Sequence, residues 1–308
     1  MGFKGYILSI VFNGKDFANK YYLMLKEFLK QHNLRDKIAL KVVLANDEPA
    51  SNLYVSIKSR VAKEIGLNVE VIKFSANSVQ SDILEVIDRE NKNLSTDGII
   101  VQLPLLKGMD LNSILNSIVY SKDVDGLSFV NLGKMILGDK KGFIPCTALA
   151  VLKILRDEGI KTLGKTVVVV GRSPLVGRPI SILLSSKPYD ATVIACHSKS
   201  IYLDVYLRQA DIVISAVGKP RLIDKSMLCG KPYVIDIGIS EIETDNGKIL
   251  SGDTDFDNIK ECVKFITPVK GGIGPVTVLM LMFNTIKAHL INNRMFDVLN
   301  RLEKLLEV

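Results

Sequence analysis

The chain reads as an α/β protein of two domains, each built on a parallel sheet. Two observations carry this reading. Runs rich in β-branched residues alternate with segments of helical period along the sequence, the pattern of parallel strands joined by crossover helices. The 308 residues are also enough for two hydrophobic cores, since single cores stop growing near this size.

The apolar runs predict strands over residues 39–45, 70–74, 98–101, 166–170, 191–196, 212–216 and 233–237. Apolar positions at spacings of three and four predict helices over 16–32, 51–66, 79–93, 147–158 and 175–185,. Two turn-rich segments mark boundaries. Gly138-Asp-Lys-Lys-Gly-Phe-Ile-Pro145 precedes a helix, and Thr267-Pro-Val-Lys-Gly-Gly-Ile-Gly-Pro-Val-Thr277 opens another, starting near Thr277. Residues 146–276 then form a nucleotide-binding domain, and 277–308 pack back on 1–145,.

Composition narrows the class. Hydrophobic residues make up 47% and charged residues 24%, ordinary for a globular chain,. The net charge of +7 and pI near 9.0 come from basic residues spread over the whole sequence without interleaved aromatics. That is a solvated surface, not a nucleic-acid stripe. Cys146, Cys196, Cys229 and Cys262 form no Cys-x-x-Cys pair, and His32, His197 and His289 lie far apart, so neither a metal site nor a disulfide framework is expected,. The N-terminal apolar run is short for a signal peptide, Tyr6 stands where a myristoylation motif wants Ser or Thr, and the late apolar run 276–283 is short for a membrane span,. A reducing, cytoplasmic setting is expected.

The cofactor side rests on a strand that runs into Gly171-Arg-Ser-Pro-Leu-Val-Gly177-Arg-Pro and then an apolar helix. A strand, glycine turn and helix start aim backbone N–H groups at a phosphate. With Ser173 where a second glycine would stand, the alternative reading of the loop is a tight βα connection. The next strand ends in His197-Ser198-Lys199 with no carboxylate to bond a ribose hydroxyl. A hydroxyl beside cations, with Arg172 near, suits a 2′-phosphate, and so NADP over NAD. Gly218 and Gly238 follow later strands, where they would let a dinucleotide approach the backbone or simply close tight loops,.

On the other side, Asp97-Gly-Ile-Ile-Val-Gln102-Leu-Pro-Leu is a buried strand ending in an uncharged amide, where open α/β sheets place ligands. Lys122-Asp-Val-Asp125-Gly is an acidic turn able to bond a polar heterocycle. A helical wheel over 51–66 puts Leu53, Ile57, Val61 and Ile65 in the core stripe, with Tyr54 inside it, Lys58 at its edge and Ser51 beside Lys58,. A lysine held against apolar surface is able to exchange protons near neutrality. The same pattern also describes a snorkelling lysine and a core tyrosine.

These segments, with Ser51-Asn-Leu-Tyr54-Val-Ser-Ile-Lys58, Pro145-Cys-Thr147, Cys196-His-Ser198 and Gly271-Gly-Ile-Gly-Pro-Val-Thr277, closely resemble the bifunctional methylenetetrahydrofolate dehydrogenase/methenyltetrahydrofolate cyclohydrolase family. Seven motifs match in one order over almost the whole chain. The resemblance implies an N-terminal α/β catalytic domain (1–145 plus 277–308), a Rossmann-like NADP-binding domain (146–276) and a cleft between them. It implies oxidation of 5,10-methylenetetrahydrofolate with NADP⁺, then hydrolysis to 10-formyltetrahydrofolate, in one-carbon metabolism and purine biosynthesis. By likeness, Lys58 is the catalytic lysine, Gln102 tunes it, Tyr54 stacks on the folate ring and Asp125 binds the pterin edge. Ser51, Gly272 and Pro275 join the substrate site. Gly171, Arg172, Ser173, Gly177, Ser198, Ile239 and Thr277 contact the cofactor. A cationic methenyl substrate would push Lys58 towards its neutral form. A cytoplasmic homodimer binding tetrahydrofolate derivatives, with neither nucleic acid nor membrane as partner, completes the expectation.

The pattern departs from the family at Leu106, Ala148, Ala150, Ser240, Lys270 and Val276. Lys270 replaces a proline and so frees φ and adds a charge. Other readings are a dehydrogenase of the family without cyclohydrolase activity, a shikimate-type NADP-dependent dehydrogenase, and a catalytically dead dinucleotide-binding regulator.

Overall fold

The computed structural model describes residues 9–244 and 247–307. The signal-peptide and myristoylation readings, including Tyr6, fall outside the described residues. The chain forms two compact units. One contains the described residues up to Phe17 and Thr147–Val276; the other contains Ala18–Cys146 and the chain from Thr277.

The first unit is built on six parallel strands in the order Ile10–Val11, Phe265–Ile266, Tyr233–Asp236, Ile212–Ser215, Thr166–Val170, Thr192–Cys196. Val167 to Val170 are all buried, as expected of a strand covered on both faces,. From this central strand the chain goes outward to Thr192–Cys196 on one side and then returns to Ile212–Ser215 on the other. The strand order therefore reverses beside Val170, at the sheet's carboxyl edge, where doubly wound sheets bind ligands. An antiparallel hairpin, Ser240–Thr244 with Gly247–Ser251, follows the fourth large strand.

The second unit has three parallel strands, with Ala39–Leu44 between Asn68–Lys73 and Gly98–Gln102. Beyond Gly98–Gln102 the backbone of Asp123 bridges to Ile99, and Ile99 N donates to Lys122 O at 2.7 Å. The acidic turn is thus carried on the edge of this sheet. The helix Pro49–Ile65 starts with a proline, which is suited to a first turn because its missing N–H would be unpaired there,. It stops at Gly66 in the left-handed conformation, whose N–H bonds Ala62 O and Lys63 O,.

The sequence reading and the structure differ at several ends. The last long helix begins at Ile273, not Thr277. Pro275 falls within its first turn, where a missing N–H costs nothing. That helix runs 20 residues to Asn292, and by length and composition it is apolar enough to cross a membrane. Its apolar window is 78% buried inside the protein, so here it serves as a core helix. Leu279, Met280, Met282, Phe283 and Ile286 are fully buried or nearly so, each stabilising the unit by roughly 1.5–3 kcal/mol. The helix expected from 175 begins at Gly177, because Val176 N bonds Ser173 Oγ in the preceding turn. The short helices Leu111–Ser117 and Phe129–Leu137 and the hairpin have no counterpart in the sequence reading.

Candidate active site

The helix Pro49–Ile65 buries Ser51, Val55, Val61, Ala62 and Ile65, while Leu53 is 60% exposed. The core stripe assigned from the wheel is therefore rotated. It was drawn through the large apolar side chains, whereas the helix packs by a face opened by the small Ser51. At about 100° per residue, Lys58 falls near the centre of the inward face and Tyr54 at its margin. Tyr54 is 36% exposed, not a core residue, and burial of its remainder raises its hydroxyl above the ordinary tyrosine value.

The structure brings Lys58, Gln102 and Asp125 together within the second unit. Lys58 Nζ donates to Gln102 Oε1 at 2.9 Å. Gln102 Nε2 in turn donates to Leu103 O at 2.8 Å, which fixes the amide so that its oxygen faces the lysine. Asn46 Nδ2 donates to Pro104 O and ties the loop after the strand to the loop before the helix. An amide at this position orients an ammonium group without supplying a counter-charge.

The acidic turn divides its work. Asp123 is buried and accepts from Gly126 N at 3.0 Å, Ser128 N at 2.8 Å and Asn131 Nδ2 at 2.9 Å. Its carboxylate holds the turn together and is not available to a ligand. Lys122 Nζ bonds the carbonyls of Glu90, Asn91 and Asn93, at the end of the helix Gln80–Lys92. Asp125 is the side chain of this motif left for chemistry. Burial raises its carboxyl and the Asp123 charge adds to this, while the Lys58 ammonium and a hydrogen bond from Cys146 oppose it; the net direction is up. Burial and the Asp125 charge likewise push the Cys146 thiol well above its usual value, so it acts as a donor. Gly126 is in the left-handed region (φ 71°), and a Cβ there would lie 2.8 Å from the Phe143 carbonyl oxygen. Only glycine lets the turn press so closely on the next segment.

In the first unit, Gly171 follows the central strand with φ 125°, and a Cβ on it would lie 2.5 Å from the Ala216 carbonyl oxygen. A Cβ on Gly177 would lie 2.2 Å from the Gly171 carbonyl oxygen. The two glycines thus let strand end, turn and helix start close on one another. Ser173 Oγ accepts from Val176 N at 3.1 Å, leaving its proton free to donate. Gly171 N donates to Cys196 O at 2.9 Å, joining the turn to the segment that carries Ser198. There Lys199 N bonds His197 Nδ1 at 3.1 Å and His197 N bonds Ser200 Oγ at 3.0 Å, so the turn is shaped while Ser198 and Lys199 stay exposed. Arg172 is exposed as well. Ile239, 44% exposed, follows Tyr233–Asp236. Gly272 is buried before the last long helix, and Pro275 and Thr277 stand half-buried within its opening turns.

Two acidic residues at these strand ends, and an amide on the last long helix, escape the sequence reading. Asp253 is fully buried and accepts from Ser215 Oγ, Val217 N and Lys219 N, each at 2.8 Å. Asp236 is buried beside it, accepts from Thr254 N and Oγ1 and from Gly238 N, and is raised to about 6 by burial. Together they shape the loops on either side of the strand ends. Cys146 and Asn284 stand behind Asp125. The signal for Asn284 was the same as for Gln102, an amide inside an apolar run. Among the described residues, no group of three His, Cys, Asp or Glu side chains is placed to hold a metal ion.

Comparison with known proteins identifies the family. Residues 12–125 match the family model of the tetrahydrofolate dehydrogenase/cyclohydrolase catalytic domain, and residues 145–293 match its NAD(P)-binding domain. The chain is 92% identical over 301 residues to the bifunctional protein FolD of Borrelia garinii subsp. bavariensis, covering 98% of this chain and 100% of that protein. Among solved structures it is similar to the bifunctional enzyme FolD, a methylenetetrahydrofolate dehydrogenase/cyclohydrolase, from Campylobacter jejuni (39% identity, TM-score 0.84, 92% and 98% of the two chains). It is also similar to the N5,N10-methylenetetrahydrofolate dehydrogenase-cyclohydrolase (FolD) of Trypanosoma brucei, solved with NADP cofactor and inhibitor (32% identity, TM-score 0.86, 94% and 99%).

Proposed function

The chain belongs to the tetrahydrofolate dehydrogenase/cyclohydrolase family, and from that premise we propose how its residues divide the work of the two reactions. The enzyme oxidises 5,10-methylenetetrahydrofolate to the methenyl compound with NADP⁺ and hydrolyses the product to 10-formyltetrahydrofolate. The observation that carries the proposal is the Lys58–Gln102 hydrogen bond beside Asp125.

The cofactor residues fit NADP. The close-packed Gly171 turn leads straight into the N-terminus of the helix from Gly177, an end suited to a phosphate, and the second strand is followed by Ser198 and Lys199 instead of a carboxylate, with Arg172 exposed,. Arg172, Ser173 and Ser198 would hold the 2′-phosphate region, with Gly171 and Gly177 shaping the phosphate turn. Ile239 and Thr277 complete the cofactor contacts. When bound, NADP⁺ accepts a hydride from the substrate's methylene carbon.

The oxidation needs no protein acid or base, because the lone pair of a folate nitrogen expels the hydride. The protein's part there is to align the reacting atoms. Tyr54 offers a ring face to the pterin, Asp125 accepts N–H bonds from the pterin edge, and Ser51, Gly272 and Pro275 complete the substrate contacts. Hydrolysis does need proton transfer. Water adds to the amidinium carbon and loses a proton, and the C–N bond to N5 opens as N5 takes a proton. Lys58 takes a proton from the adding water and delivers one to N5, and the remaining hydroxyl proton is released to solvent as the formyl carbonyl forms. Gln102 holds Nζ in place throughout.

The reading includes a cytoplasmic homodimer formed through the first unit, and neither nucleic acid nor membrane as partner. Exposed Ile201, Tyr202 and Val205, next to the edge strand Thr192–Cys196, support such a pairing face,. Catalysis is tested by incubating methylenetetrahydrofolate with NADP⁺ and following NADPH and the methenyl band separately. Lys58→Met should accumulate the methenyl compound. A variant that still hydrolyses it at the parent rate would overturn the role of Lys58. A parent enzyme that never hydrolyses it would point to the dehydrogenase-only alternative.

A further inference from the structure

Asn284 lies in the middle of the long apolar helix Ile273–Asn292 and is 1% exposed. Phe283 precedes it and Ile286 follows, both buried. A buried amide without partners costs on the order of 1–3 kcal/mol, so a helix of this kind gains nothing from asparagine unless the amide has work to do. Its partners are specific. Nδ2 donates to Val124 O at 2.9 Å and to Ile144 O at 3.2 Å, and it lies 3.6 Å from Cys146 Sγ.

Each partner leads to Asp125. Val124 precedes it in the chain, and Val124 O also accepts the Cys146 thiol at 3.3 Å. Cys146 also stands against the Asp125 carboxyl, so the thiol's single proton is shared between that carbonyl and the carboxyl. Ile144 backs the other side of the turn, since a Cβ on Gly126 would lie 2.8 Å from the Ile144 carbonyl carbon. Asp123 already holds Gly126 and Ser128 through their N–H groups. With the residues before and after it fixed, Asp125 has little freedom in where it points.

We propose that Asn284 is a positioning residue for the folate substrate: it fixes the direction of the Asp125 carboxyl through the Val124 carbonyl and the Cys146 thiol, without touching the substrate itself. This rests on the substrate-binding role given to Asp125 above. Its specific consequence is that removing the amide weakens folate binding and not cofactor binding, and does so only while Asp125 is present.

The test is a double-mutant cycle of Asn284→Leu and Asp125→Ala, reading KM for methylenetetrahydrofolate, KM for NADP⁺ and kcat. Leucine keeps the volume and removes the donors. Asn284→Leu should raise the folate KM about five- to tenfold, in line with the loss of one to two hydrogen bonds, with KM for NADP⁺ unchanged. In the Asp125→Ala background it should add nothing. Equal effects in both backgrounds, an unchanged folate KM, or a parallel rise in KM for NADP⁺ would each overturn the proposal. If Asp125→Ala itself leaves the folate KM unaltered, the substrate role of Asp125 fails and this proposal with it. If Asp125→Ala raises it and Asn284→Leu does not, the present proposal alone fails. Should Asn284→Leu not fold, Asn284→Ser carries the same comparison, and its retained hydroxyl donor should give a smaller rise than full loss of Asp125.

Discussion

Replacing Gln102 with methionine keeps the side chain's length and most of its volume and removes the acceptor that holds Lys58. The bond lost is the 2.9 Å contact from Lys58 Nζ to Gln102 Oε1, whose amide is anchored by its own 2.8 Å bond to Leu103 O. A hydrogen bond to a charged group contributes about 1.5–3 kcal/mol. Spent on holding Nζ where the proton must travel, that energy corresponds to about a 10- to 150-fold loss of hydrolysis. Hydride transfer uses no proton carrier and should fall far less. The two are separable in one preparation: hydrolysis is read from the decay of preformed methenyltetrahydrofolate, and oxidation from the appearance of NADPH. Lys58→Met removes the carrier as well as its tether, so its hydrolytic loss should exceed that of Gln102→Met and reach about 10²- to 10⁴-fold, the usual worth of a general acid–base group. Equal fractional losses of both activities in Gln102→Met, or intact hydrolysis, would refute the reasoning.

Other expectations concern the cofactor unit. Arg172→Gln should weaken NADP⁺ binding by roughly 1.5–3 kcal/mol and leave NAD⁺ binding nearly unchanged; calorimetry showing equal losses for both would remove Arg172 from the 2′-phosphate. Gly171→Ala places a Cβ 2.5 Å from the Ala216 carbonyl oxygen at φ 125°, so it should cost about 2–4 kcal/mol in denaturant unfolding and raise KM for NADP⁺. A variant with the parent's stability would contradict the close packing described. Burial raises the Asp236 carboxyl to about 6, so between about pH 4 and pH 6 the folded chain holds a proton that the unfolded chain has released. Stability from this group therefore falls by up to about 1.4 kcal/mol per pH unit as pH rises through that window, and is level above it. Urea midpoints of the parent relative to Asp236→Asn at pH 4.5 and 7 should show that slope in the difference; parallel profiles would exclude it.

Much of the fold was legible because apolar β-branched runs in a parallel sheet are hard to mistake: residues 166–170 coincide with the observed strand. Helix faces were less legible. The wheel chose the bulkiest residues of 51–66, yet the contact with the sheet is made by the face that starts at Ser51, leaving Leu53 outside. Gln102 stood out as an amide ending a strand, Asp125 as part of an acidic turn and Lys58 as a cation at the edge of an apolar helix stripe, and the fold brings the three together within one unit. Asp123 shows the converse: it belongs to the same acidic motif as Asp125, but its carboxylate is consumed by backbone N–H groups. Nothing in spacing separates the two. Asp236 and Asp253 were invisible for a similar reason, since their partners are main-chain donors supplied by distant loops.

Asn284 bonds Val124 across 160 positions of sequence, and this has a consequence for how the protein is made. The unit that carries Asp125 is interrupted, with Thr147–Val276 translated between its two parts. At about 5–20 residues per second, its sheet and acidic turn leave the ribosome on the order of 10 to 30 seconds before the helix that covers them. The inserted segment has most of its own sheet by then. The nascent chain therefore passes through an interval in which a largely formed dinucleotide-binding half coexists with an uncovered apolar half, and chaperones have that interval in which to hold it.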